Sequence, residues 1–94
     1  MNLTIAHEPE AERYAAYDGD DLQGWIIYEH TGSTLRLLHA EVPAAMRKKG
    51  VGGDVVRAIL DDLRVSTTHR VQPVCGFVVS WMQRHPEYGD LTTR

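Results

Sequence analysis

The hydrophobic period of this sequence changes once, and it does so across a single basic, glycine-bearing loop. Residues 37–53 read LLHAEVPAAMRKKGVGG. An apolar, strand-like run meets Pro43, then three consecutive cations, then glycines that open a helical pattern. Before this point the chain alternates short β-forming runs with turns. Residues 3–7, 13–17, 22–30 and 35–42 are apolar or aromatic, and the clusters Asp18-Gly19-Asp20-Asp21 and Thr31-Gly32-Ser33 separate the last three. After it, Val51, Val55, Ile59 and the neighbouring row Val56, Leu60, Leu63 recur at three- and four-residue spacing, which predicts an amphipathic helix over 51–65. A short strand over 71–74 and a second helix over 76–84, stopped by Pro86, complete the pattern. Residues 87–94 read as a loosely held polar tail. The fold class expected is α+β in the order β-β-β-β-α-β-α, a mixed and mostly antiparallel sheet with helices packed on it.

The expected location of the candidate site follows from that switch. Alternation over 35–42 places Leu35, Leu37, His39 and Glu41 on one face and Arg36, Leu38, Ala40 and Val42 on the other, predicting a central strand covered on both sides. In the loop, Gly50, Gly52 and Gly53 let the backbone turn and a ligand approach closely. The first amides of the following helix lack intrahelical partners and lie at the positive end of its dipole, a ready site for phosphate or diphosphate. Arg47, Lys48 and Lys49 add charge beside it.

Charge narrows the ligand further. The net charge is −3, but residues 1–46 hold eight acids and two bases, whereas 47–94 hold five acids and eight bases. A weakly acidic chain with one basic point is expected to receive a compact anion rather than bind nucleic acid over a broad face. A P-loop would need Gly-Lys-Ser/Thr after a longer loop, and a dinucleotide fold an early βαβ unit; neither is present. With 94 residues the chain is expected to form one domain around one core. No apolar run approaches the ~20 residues that span a bilayer, the first ten residues resemble neither a signal peptide nor a myristoylation site, and the expected location is the cytoplasm. Cys75 is the single cysteine, so no intrachain disulfide is expected. His39, His85 and Cys75 are too scattered for a zinc motif, and no metal is expected.

With these residues in view the chain resembles the GNAT superfamily of N-acyltransferases. Arg47-Lys48-Lys49-Gly50-Val51-Gly52 matches the Arg/Gln-x-x-Gly-x-Gly/Ala acyl-CoA loop of that superfamily and stands, as that motif does, between strand and helix. The small single-domain members are also matched by His39-x-Glu41-Val42-Pro43, by Pro73-x-Cys75, by Phe77-Val78-x-x-Trp81 and by His85-Pro86-Glu87-Tyr88, so the resemblance spans residues 12–91. One departure is Gly76, where the family commonly has proline after the cysteine. The resemblance implies an acetyl-CoA-dependent N-acetyltransferase acting on an amine. Its acyl-CoA site would lie between the strand ending at Val42 and the strand ending near Val74. Glu41, Val42, Arg47, Lys48, Lys49, Gly50, Val51, Gly52 and Gly53 would contact the co-substrate.

Direct transfer needs an amine positioned against the thioester, an amide to stabilise the oxyanion and a base for the amine proton. His39 and Glu41 are the candidates for proton transfer. Cys75, at the start of the last helix where a dipole favours thiolate, is the candidate to stand beside the acyl carbon or to carry the acyl group. Trp25, Phe77, Trp81 and Met82 are expected in the core, and the segment beginning at His85 is expected to clamp the end of the fold. The length leaves little chain for a separate acceptor lobe: either the acceptor is gripped lightly, or a second subunit, as in a homodimer, helps to form its pocket. Two other readings stay open, an acyl-CoA binding module without catalysis and a small interaction domain whose basic loop meets an acidic partner.

Overall fold

The computed structural model describes residues 2–94. Five strands form one sheet in sequence order: β1 (Thr4–Glu8), β2 (Arg13–Asp18), β3 (Asp21–Thr31), β4 (Thr34–Glu41) and β5 (Arg70–Pro73). The first three pairings are antiparallel: a 3-10 turn over Pro9–Ala11 joins β1 to β2, and short turns at Gly19 and Gly32, both with positive φ, join the next two pairs. The pairing of β4 with β5 is parallel, which requires a crossover. That crossover carries a one-turn helix, α1 (Ala44–Arg47), and the long helix α2 (Gly52–Ser66). Helix α3 (Gly76–Arg84) follows β5, and a 3-10 turn covers Pro86–Thr92. The α+β class and mixed sheet expected from the sequence are what is observed.

Hydrophobic periodicity explains why α2 sits where it does. Val55, Val56, Ile59, Leu60 and Leu63 are all buried, on the stripe predicted for them, against Ile26, Leu35, Leu37 and Val71 from the sheet. Burying one such side chain is worth roughly 1.5–3 kcal/mol, so this stripe dominates the adhesion of helix to sheet.

Three expectations are corrected. β4 is not covered on both sides: its helix-facing residues are buried, whereas the opposite sheet face keeps Trp25 and Ile27 half-buried and His39 exposed. The faces of β4 are also not those of simple alternation. Leu37 pairs with Tyr28 but His39 pairs with Ile27, so Leu38 is an extra residue, a β-bulge. The bulge flips the parity: Ala40 and Val42 join Leu35 and Leu37 on the core side, and His39 and Glu41 share the open face. Finally, residues 87–94 are not loosely held. Tyr88 and Leu91 are buried, the Tyr88 hydroxyl donates to Asp61 (2.7 Å) and accepts from Arg57 (3.1 Å), and Arg64 pairs with Asp90. His85 stacks on Trp81 with ring centroids 3.9 Å apart, so the segment that follows α3 closes the helical layer. Among the described residues no helix is long and apolar enough to cross a membrane.

Candidate functional site

The site is built where β4 and β5 part. β5 pairs with β4 only from Thr34 to Leu37. Leu37 then accepts two amides at once, from Val74 (2.9 Å) and Cys75 (3.0 Å), and the chain turns into α3. β4 runs on to Glu41 with β3 alone beside it. Its other edge beyond Leu37 therefore has no strand partner among the described residues, and a cavity of about 290 Å³ fills the fork. Ala40, Glu41 and Val42 form one wall, Gly52, Val55 and Val56 on α2 the floor, and Phe77 on α3 the far wall, with Arg47 at the rim.

The loop that closes the cavity has the geometry its composition predicts. α1 is one turn long, and the Lys49 and Gly50 amides close back on Met46 (3.1 Å) and Arg47 (3.3 Å). Gly50 then takes φ +65, a left-handed conformation that a side chain would strain. Val51 occupies the N-cap of α2 and no side chain caps the helix, so its first-turn amides are left for an outside acceptor. The Val51 side chain is buried and anchors the turn.

Close approach, rather than backbone freedom, is what two further glycines provide. A Cβ at Gly24 would stand 2.8 Å from the Glu41 carbonyl oxygen and 3.1 Å from both Val55 methyl groups. A Cβ at Gly52 would stand 3.1 Å from the Phe77 ring. Bare backbone at Gly24 lets β3 close on the end of β4 and on Val55 of α2, and at Gly52 it lets the first turn of α2 lie against Phe77 of α3.

Four of the residues singled out from the sequence line the cavity: Glu41, Val42, Arg47 and Gly52. Arg47 is already engaged, donating from Nε to the Val42 carbonyl (3.0 Å) and from Nη2 to Glu41 Oε1 (3.5 Å). Glu41 Oε2 in turn lies 2.9 Å from His39 Nε2. His39, Glu41 and Arg47 thus form a polar chain from the open sheet face to the cavity rim. Lys48 and Lys49 are exposed and make no ion pair among the described residues, so they are the loop's free cations. Gly53 faces α3, where a Cβ would meet the Trp81 indole nitrogen at 3.4 Å.

Cys75 does not line the cavity; it is half-buried and packed against the core. Burial pushes its thiol up, but amides outweigh it: those of Ala40 on β4 and of Val78 and Phe77 at the start of α3 hold the thiol below the ordinary range. Gly76 opens α3 with no neighbour within 4 Å of its Cβ position. Ala40, Val55, Val56 and Phe77 line the cavity although the sequence did not assign them to the site. Phe77, expected in the core, is 47% exposed. Trp25, likewise expected in the core, lies on the open sheet face with the Arg13 guanidinium 5.0 Å from its ring.

Comparison with known proteins agrees with this arrangement of strand, loop and helix. No curated protein matches the chain. A family described as GCN5-related N-acetyl-transferase matches residues 13–91 of the 94, from the start of β2 to the buried Leu91, and takes in the whole fork and its loop. The chain belongs to the GCN5-related N-acetyl-transferase family.

Proposed function

We propose that the fork binds acetyl-CoA and that the protein moves the acetyl group to an amine, releasing CoA. The observation that carries this reading is the coincidence, at one cavity, of an unpaired strand edge and uncapped helix amides, with the exposed Lys48 and Lys49 on the loop that leads into that helix. A strand edge takes the amide-bearing pantetheine arm by strand-like hydrogen bonds. The α2 amides with Lys48 and Lys49 take the diphosphate and the remaining phosphate. Arg47 holds the loop against Val42 and Glu41 and contributes charge at the rim.

Acetyl-CoA supplies an acyl group already activated as a thioester; the chain's task is to place it and to manage one proton. Backbone N–H groups freed where β4 leaves β5 are the donors for the carbonyl oxygen as it becomes an oxyanion. His39, oriented by Glu41 at 2.9 Å, accepts the amine proton directly or through water. Cys75 draws on the Ala40 amide of the fork, and its thiol ionises more readily than a free one. If it carries the acetyl group, its sulfur forms the new thioester as the CoA thiolate departs, and the amine then attacks that thioester.

A thermal-shift titration with acetyl-CoA tests binding. Saturation at a hundred times the dissociation constant adds about 2.7 kcal/mol to stability, and Lys48→Ala with Lys49→Ala weakens the response without lowering the unliganded melting temperature. No shift in the unaltered protein overturns the proposal. Release of free CoA on adding amines tests catalysis: His39→Ala is expected to lower kcat roughly 10²- to 10⁴-fold. Acetyl-CoA binding without CoA release for any amine returns the chain to the binding-module reading. Cys75→Ser abolishes turnover only if the thiol carries the acetyl group.

A further inference from the structure

The opposite end of α2 holds a second cavity, of about 240 Å³. It is lined chiefly by His7, Tyr14, Tyr28, His30, Ser66 and His69, and it shares no residue with the cavity in the fork. The fourteen-residue step from Gly52 to Ser66 along α2 corresponds to roughly 21 Å. A small molecule in one cavity therefore does not reach the other.

The lining is aromatic and rich in nitrogen and oxygen acceptors. His7 stacks on Tyr14 with centroids 4.3 Å apart and lies 2.6 Å from the Tyr28 hydroxyl through Nε2. His30 and His69 pack together with centroids 4.4 Å apart. No ring nitrogen of either bonds a group of the described residues, so both rings present free polar atoms. No lysine or arginine lines the cavity. Asp62 accepts from the Ser66 hydroxyl at 3.3 Å and sets a negative charge beside the lining. Burial, then Tyr28 and Asp62, hold the Tyr14 hydroxyl above the ordinary phenol range; burial and Glu12 do the same for Tyr28. Both phenols thus stay neutral and keep their electron-rich rings. The cavity also lies at the C-terminal, electronegative end of α2. Arg94 already answers that end from outside the cavity, donating to the carbonyls of Leu63 (2.9 Å) and His69 (2.8 Å).

We infer that this histidine and tyrosine cavity is a second binding site, for a small primary ammonium ion. An ammonium group needs acceptors on several sides, a favourable electrostatic field and aromatic faces that tolerate a cation. The free imidazole nitrogens of His30 and His69, the Ser66 and Asp62 oxygens and the stacked His7–Tyr14 pair supply these. An anion would meet Asp62 with no lysine or arginine in the lining to hold it. A divalent metal would need a closer donor set, because among the described residues no three His, Cys, Asp or Glu side chains are grouped to hold one.

NMR titration of the full chain with 1,4-diaminobutane at constant ionic strength tests the site, with sodium acetate and Zn²⁺ in parallel. Saturable shifts are expected in the His30, His69, Tyr14 and Tyr28 ring signals, unchanged when acetyl-CoA is also present. Asp62→Asn, with its native amide spectrum retained, is expected to weaken binding about tenfold, and His30→Ala comparably. The inference is overturned by no saturable response to the diamine, by an equal response to acetate, or by shifts centred on the amides near Gly50. A response of the same rings to Zn²⁺ but not to the amine, or unchanged affinity in both variants, overturns it as well.

Discussion

The two halves of β4 share a strand, a sheet and an apolar composition, yet they do different work. From Thr34 to Leu37 the strand is paired on both edges and its inward side chains, Leu35 and Leu37, are sealed beneath α2. From Leu38 to Glu41 it is paired on one edge, turned by a bulge, and faces a cavity. The difference does not come from the strand itself. It comes from its neighbour: β5 ends at Pro73, which lacks the donor to continue a ladder, and the chain leaves to form α3. A site is opened in a small fold by ending one strand early. The free edge is tolerated because a second layer, α2 and α3, stands behind it.

This contrast can be broken from its paired half. Leu37→Ala removes a fully buried side chain and is expected to cost about 2–5 kcal/mol of unfolding free energy, read as a lower urea midpoint with an unchanged slope. Bound acetyl-CoA should restore part of that loss by linkage, because the variant disturbs the fold before the fork. A variant that stays as stable as the parent would show that pairing with β5, not burial, holds this half of the strand.

A smaller effect is expected from Gly24, which touches the open half from β3. Its Cβ would press on the Glu41 carbonyl and on Val55 together. A backbone oxygen yields less easily than the tip of a side chain, so Gly24→Ala is expected to cost about 1–3 kcal/mol. It should also raise the KM for acetyl-CoA more than it changes kcat, since it separates the α2 amides from the β4 edge without touching His39. Loss of stability with an unaltered KM would mean that the fork tolerates a shift of its helix.

How much of this was legible in the sequence depends on whether a feature is local. The change of hydrophobic period, the basic loop and the helix stripe are local, and the elements and the loop lie where those signals put them. The Leu38 bulge is set by the pairing with Ile27 and Tyr28 on another strand. It leaves no mark in a run that is apolar at both parities, so simple alternation gives His39 and Glu41 the wrong neighbours. Phe77 stands on the apolar stripe of α3 with Val78 and Trp81, yet it is exposed because the sheet beneath it has parted. Spacing alone cannot register that. The burial of Tyr88 and Leu91 was more accessible: they stand three residues apart, the repeat of a 3-10 turn, just after a proline that starts one.

The smallest effect lies at the junction of the two halves and is read as a slope. Cys75 follows the last ladder contact of Leu37 and receives the amide of Ala40 across the gap, so its thiol ionises more easily folded than unfolded. Lowering the folded pKa means that, between the folded value and about pH 8.5 for a free thiol, the unfolded chain binds more protons than the folded one. Stability from this source is then fully present above the unfolded value and is lost as pH falls through the folded one. Measured by denaturation across neutral to mildly alkaline pH, the stability difference between the parent and Cys75→Ser should widen as pH rises. Alkylation by iodoacetamide at pH 7 should likewise be faster in folded than in urea-unfolded protein, after correction for access. A flat difference would place the Ala40 amide elsewhere than on sulfur and free it as a donor for the acyl oxygen, which would assign the open half of β4 wholly to the substrate.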